Sequence, residues 1–80
     1  MSFVCHLRQL PTATFLSVNR FLYLLGPRDK VEACFEREGP IHFEISQDWL
    51  IVSDESTKIL DYYNLNEVIS TRHLVPKHSQ

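Results

Sequence analysis

Glycine and cysteine are both scarce in this sequence, with two residues of each among its 80. Phosphate-binding loops need several glycines at fixed spacing, so Gly26 and Gly39 do not form one. Cys5 and Cys34 lie far apart, and the chain has neither an N-glycosylation triplet nor a cationic, apolar signal segment at its start. These features predict free thiols in a reducing cytoplasm rather than a disulfide framework.

An excess of positive charge and a long apolar run are also lacking. The formal net charge is −2, so no overall positive field attracts the chain to nucleic acid or to an anionic membrane. The longest apolar run, residues 21–25, ends at Gly26 and Pro27 and is much shorter than the roughly 18 residues of a membrane span. We predict no nucleic-acid partner and no integral membrane segment.

The composition is otherwise that of an ordinary globular domain, with 44% hydrophobic and 22% charged residues. A chain of this length fits one small domain with a modest core. We predict a single small domain over residues 1–75, either complete or a fragment of a larger one, and a frayed polar tail over residues 76–80.

The first half predicts one short strand and two short helices. Residues 1–10 alternate loosely between apolar and polar, as a strand does. Ser17 is a good helix N-cap, and Gly26 is placed to end the helix. Pro27 suits the first turn of a second helix, which Gly39 and the following proline end. Apolar residues at helical spacing support both helices: Val18, Phe21, Leu22 and Leu25 in the first, and Val31, Cys34 and Phe35 in the second.

The second half predicts an antiparallel β-meander. Residues 41–46 alternate strictly, residues 49–53 are aromatic and β-branched, and residues 59–65 form a third candidate strand. Polar turns separate the three segments, and residues 68–71 extend the third strand after a kink. The predicted fold class is therefore α+β, with short helices packed on an antiparallel meander.

No motif in the sequence carries catalytic or metal chemistry. The cysteines and histidines show no zinc-ligand spacing, and no nucleophile motif is present, so we predict a protein that is not an enzyme and has no cofactor. The run from Trp49 to Val52 fits a fully buried strand better than a recognition patch. Tyr62 and Tyr63 likewise fit a strand better than a phosphorylation site.

The stretch IHFEISQDWLIVSDESTKILDYYNLNEVIST, residues 41–71, resembles the phosphotyrosine-binding domains of the pleckstrin-homology superfold. The similar features are the Gln47-Asp48 turn, the strand that ends in Asp54 and the Thr57-Lys58 turn exit. The type found in the epidermal growth factor receptor pathway substrate family and in tensin is most similar. Such domains have seven strands and a C-terminal helix, and their peptide ligand adds to strand five. The resemblance implies the first half of such a barrel, ending where strand five begins, and no ligand-contacting residue is carried over.

These observations predict a non-catalytic protein-interaction module of an intracellular adaptor or scaffold in signalling. A half-barrel leaves its last strand with an open edge, which predicts self-association or a protein partner paired there. The residues proposed for that edge are Ile59, Asp61, Tyr63 and Leu65. Two alternatives remain: a phosphoinositide-binding module, which lacks the expected basic cluster, and a structural subunit that completes a sheet in a larger assembly.

Overall fold

The computed structural model describes residues 3–79, with side chains for residues 3–77, and consists of two antiparallel sheets and one short helix. The first sheet contains β1 (Cys5–Gln9), β2 (Thr14–Val18), β3 (Phe21–Leu25) and β4 (Val31–Glu36). The second contains β5 (Ile41–Ser46), β6 (Trp49–Asp54), β7 (Leu60–Asn64) and β8 (His78–Ser79), and α1 (Leu65–Thr71) follows β7. In both sheets each strand pairs with the next one along the chain. The α+β class and the antiparallel meander are confirmed.

The two helices predicted in the first half are wrong, because their residues form β2, β3 and β4. The apolar spacing after Ser17 fits one face of a helix, but residues 21–25 are apolar throughout, which suits a strand as well. A two-residue turn joins β2 to β3, and Asn19 takes the left-handed conformation there, with φ of 50°. Pro27 begins only a 3-10 turn, Pro27–Asp29. Seven strands therefore precede α1, and the expectation that the chain ends where a fifth strand begins is wrong.

The second half follows its sequence pattern closely as far as residue 64. The predicted strands over residues 41–46, 49–53 and 59–65 are β5, β6 and β7, and every end agrees within one residue. The expected strand extension over residues 68–71 is wrong, because those residues belong to α1. The Asn64 side chain begins that helix by accepting a hydrogen bond of 3.0 Å from the Glu67 backbone N–H.

The core lies between the inner faces of the two sheets, and α1 covers it with Leu65 and Val68. Its fully buried side chains come from both sheets: Phe15, Leu22 and Leu24 from the first, and Ile41, Leu50 and Tyr63 from the second. Ser17 is also fully buried there, and within the described residues its hydroxyl has no hydrogen-bond partner. The sheets pack on each other as two separate meanders and do not close into a barrel.

Trp49 does not belong to this core, so the prediction of a fully buried strand at residues 49–52 is wrong. Its side chain is 39% exposed and lies on the side of the second sheet that points away from the core. There the Trp49 and Tyr62 rings pack edge to face, with their centres 6.2 Å apart. Leu50 and Val52 are the members of this run that face the core.

The tail predicted to fray over residues 76–80 includes β8, which pairs with β7 at Asp61 and Tyr62. The Lys77 N–H also donates to the Tyr62 carbonyl at 2.8 Å. Gln80 lies outside the described residues. No helix in the described part of the chain is long and apolar enough to cross a membrane.

Candidate interaction surface

The first sheet has an outer face that is almost entirely apolar. Strand register places Leu7, Leu16, Tyr23 and Cys34 side by side across all four strands. The rows on either side of this middle row complete the surface, which we call the outer face: Cys5, Val18, Phe21 and Glu36 in one row, and Gln9, Thr14, Leu25 and Val31 in the other. Opposed residues point to the same side of a sheet, so the outer face points away from the core. Leu25, beside a register shift in β3, is nevertheless buried at 9%. Gln9, Thr14 and Glu36 are polar members of the outer face, and Tyr23 adds a phenolic hydroxyl.

Much of the outer face is open to solvent. Leu7 is 67% exposed and Val31 is 54% exposed, while Phe21 and Tyr23 are half-buried. A shallow depression of about 510 Å³ lies across the face, lined by Leu7, Gln9, Thr14, Leu16, Leu25 and Asp29. Scattered exposed apolar residues are normal on a soluble protein, but a contiguous set across four strands is typical of an interaction site.

The charge on the outer face is compensated within the chain. Glu36 is its only charged member, and its carboxylate forms an ion pair of 2.7 Å with Arg20 in the β2–β3 turn. The Arg20 guanidinium also lies over the Phe21 ring, 5.5 Å from its centre. Asp29 also lines the depression, so one further acidic side chain lies beside this face.

Both cysteines lie on the outer face and are free, exposed thiols. Cys5 is in β1 and Cys34 is in β4, which form opposite edges of the first sheet. Neighbouring strands are about 4.8 Å apart, so three strand spacings separate the two by roughly 14 Å, which is too far for a disulfide within one chain.

The structure does not bring the four residues predicted at an open strand edge together. Ile59 precedes β7 and is 46% exposed, and Asp61 lies in β7. Tyr63 faces the core at 1% exposure, and Leu65 is the first residue of α1 at 8%. β7 is paired with β6 on one side and, at Asp61 and Tyr62, with β8 on the other. The partner-binding role of these residues stays a prediction, although two of them are core residues.

Tyr63 instead has a structural contact that joins the two halves of the chain. Its hydroxyl accepts a hydrogen bond of 2.9 Å from Arg37, in the linker between the sheets, and donates to Asp61 at 3.3 Å. Burial raises the pKa of the Tyr63 hydroxyl above its usual value, although the Arg37 hydrogen bond acts in the opposite direction. The fold therefore favours the neutral, protonated form of the Tyr63 hydroxyl.

Sequence reasoning missed the outer face because it assigned residues 17–39 to helices. The available signal was the unbroken apolar run over residues 21–25, together with a turn-forming asparagine two residues before it. An apolar strand in a sheet with only one covered face must expose part of its apolar surface.

Among the residues that the structure describes, no group of three or more histidine, cysteine and acidic side chains is placed to hold a metal ion.

No family model, curated protein or solved structure matches this chain.

Proposed function

We propose that this chain is a non-catalytic protein-interaction module of an intracellular adaptor or scaffold, and that it binds through the outer face. The observation that carries the proposal is the contiguous apolar surface across β1 to β4, whose one charged residue already has a partner. Covering apolar surface contributes roughly 25 cal/mol per Å², which gives a protein partner a reason to bind.

The occupant that this face fits best is a second copy of the chain. A twofold contact places the same patch against itself, so the uncharged, apolar middle row of one copy meets its equivalent in the other. Sheets that pack face to face in this way lie about 10 Å apart and interdigitate their side chains. Charge compensation by Arg20 means that burying Glu36 in such a contact leaves no isolated carboxylate.

The resemblance to phosphotyrosine-binding domains stays a prediction. Residues 41–71, which carry it, form β5 to α1 and not the part of a barrel that precedes its fifth strand. The sheets here are short and do not form a closed barrel. No specific observation favours the phosphoinositide alternative, since Arg28 and Lys30 in the β3–β4 connection flank the acidic Asp29.

The test is the oligomeric state of the purified chain, measured by sedimentation equilibrium between about 1 and 100 μM. We expect a dimer whose dissociation constant rises at least tenfold, about 1.4 kcal/mol, in a Leu7→Glu variant. Leu7 is 67% exposed, so the monomer fold tolerates this change. The matched control is Ile59→Glu, which alters an apolar residue of 46% exposure outside the outer face.

A wild-type chain that is monomeric at 100 μM would overturn self-association through the outer face. If Ile59→Glu dissociates the dimer and Leu7→Glu does not, contact occurs at β7 instead and the outer-face assignment is wrong. Binding of the monomer to phosphoinositide vesicles would favour the lipid-binding alternative.

A further inference from the structure

A chain of three side chains crosses the seam where β1 of the first sheet meets β5 of the second. The Nε2 atom of His6 lies 2.9 Å from Nδ1 of His42, and the two rings meet edge to face with their centres 4.9 Å apart. On the far side of the second ring, His42 Nε2 lies 3.4 Å from a Glu55 carboxylate oxygen. The seam is thus joined by consecutive polar contacts between residues distant in sequence.

The polarity of these contacts depends on where the hydrogens lie. A carboxylate only accepts, so His42 donates from Nε2 to Glu55. When His42 is neutral its Nδ1 then carries no hydrogen, and it accepts from the His6 Nε2–H. One added proton is compatible with the short contact, because either ring can be the donor. When both rings are charged, N–H faces N–H at 2.9 Å and the contact cannot form.

The histidine contact is one of several between the sheets, which also share the core and a hydrogen bond of 2.7 Å from the Ile41 N–H to the Asn19 carbonyl. β1 and β5 each pair with only one strand, β2 and β6 respectively, so each has a free edge at the seam. A cleft of about 200 Å³ lies beside the histidines, lined by His6, Leu7, Arg8, Phe43, Glu44 and Ile45. The charged groups near the pair are therefore Arg8 from β1, Glu44 from β5 and Glu55 from the β6–β7 turn. The His6 ring also meets the edge of Phe43 at 6.2 Å.

We infer that His6, His42 and Glu55 form a proton-operated latch, which holds β1 against β5 at neutral pH and releases when both imidazoles are charged. Histidine is the side chain that ordinarily changes charge between pH 5 and 8. A charge on both rings opens the latch, because two N–H groups then face each other across the 2.9 Å contact. Release separates β1 from β5, so that a partner strand can reach their free edges at acidic pH.

Amide hydrogen exchange of the full chain tests the latch, with rates corrected for the intrinsic effect of pH. We expect the protection of β1 and β5 amides in the wild type to fall about fivefold to tenfold between pH 7.5 and pH 5.0. In a His6→Gln variant, which keeps a side-chain N–H donor but cannot be protonated, the same amides should change less than twofold. The control is His73→Gln, which alters an exposed histidine away from the seam and should behave as the wild type.

Near-ultraviolet circular dichroism at pH 7.5 shows whether His6→Gln retains the native fold, and His42→Gln serves as a second variant if it does not. The latch is overturned if wild-type protection is constant with pH. It is also overturned if a folded glutamine variant loses protection as steeply as the wild type.

Discussion

Trp49 and Leu50 are adjacent in the sequence but lie on opposite faces of the second sheet. The tryptophan is 39% exposed on the outside, whereas the leucine is fully buried in the core. Because the whole run from residue 49 to 52 is apolar, periodicity cannot indicate which member of each pair faces inward. Which of the two residues faces the core depends on how β6 pairs with its neighbouring strands. A single sequence does not contain that pairing.

The two neighbours should therefore respond differently to truncation. We expect Leu50→Ala to lower the free energy of unfolding by about 2–5 kcal/mol, because it leaves a cavity in the core. Trp49→Ala should lower it by less than about 1 kcal/mol, since it removes a side chain that is 39% exposed on the outside of the sheet and forms a ring contact with Tyr62. Urea denaturation of both variants measures the difference. Equal losses would mean that Trp49 is packed in the core.

At the scale of the element, α1 begins with a well-defined cap. The Asn64 side-chain oxygen accepts from the backbone N–H of Glu67, and the helix ends with Arg72 in the left-handed conformation at φ of 61°. A seven-residue helix is too short to be stable alone, so its cap and its two core residues, Leu65 and Val68, matter together.

We expect Asn64→Ala to destabilise the protein by about 1 kcal/mol, because one N–H in the first turn loses its partner. Asn64→Ser should restore most of that loss, since serine is also a good N-cap. Asn66→Ala is the control, as it changes the same residue type at an exposed position inside α1. Thermal denaturation compares the three. A loss as large in Asn66→Ala would contradict the capping role.

The individual strands explain why the sequence predicted the second half better than the first. Strict alternation over residues 41–46 has one interpretation, a half-covered strand, and β5 confirms it. The residues after Ser17 satisfy helical spacing and an apolar strand equally, and tertiary pairing decided between them. Since the outer face is built from those residues, the sequence could not predict the candidate site until the strands were known.

At the scale of the whole molecule, Asp54 anchors the linker between the sheets. It is 7% exposed at the end of β6, and its carboxylate accepts from the Ser56 N–H at 2.9 Å and from the Ser56 hydroxyl at 3.0 Å. A side-chain carbon added to Gly39 in the linker would lie 2.8 Å from the same carboxylate, so only glycine allows this approach. The Glu55 N–H donates to the Pro40 carbonyl at 2.9 Å and adds a second tie to the linker.

Acid should therefore loosen the junction of the sheets. Burial raises the pKa of Asp54, but hydrogen bonds from Ser56, Gly39 and Thr57 outweigh it and hold the pKa below the usual 3.8. A carboxyl with a lowered pKa stabilises the fold above its unfolded pKa, and that contribution is lost as the pH falls through the folded pKa. We expect wild-type stability to decline as the pH falls below about 3.8 for this reason.

Urea denaturation between pH 2 and pH 6 checks this expectation. Asp54→Asn should cost about 1–3 kcal/mol at pH 6, because an amide cannot accept all the hydrogen bonds of the carboxylate. The variant should also lack part of the acid-dependent decline. Asp48→Asn, at an exposed position in the β5–β6 turn, is the control and should keep the wild-type slope. An unchanged slope in Asp54→Asn would remove Asp54 from this role.

The meander order of both sheets has a consequence for how the chain reaches its native state. Every strand pair joins consecutive strands, and every connection within a sheet is a short loop except that between β7 and β8, which contains α1. The one step that brings distant residues together is the docking of one meander on the other. Its rate, more than that of any hairpin, should set the folding time of the molecule.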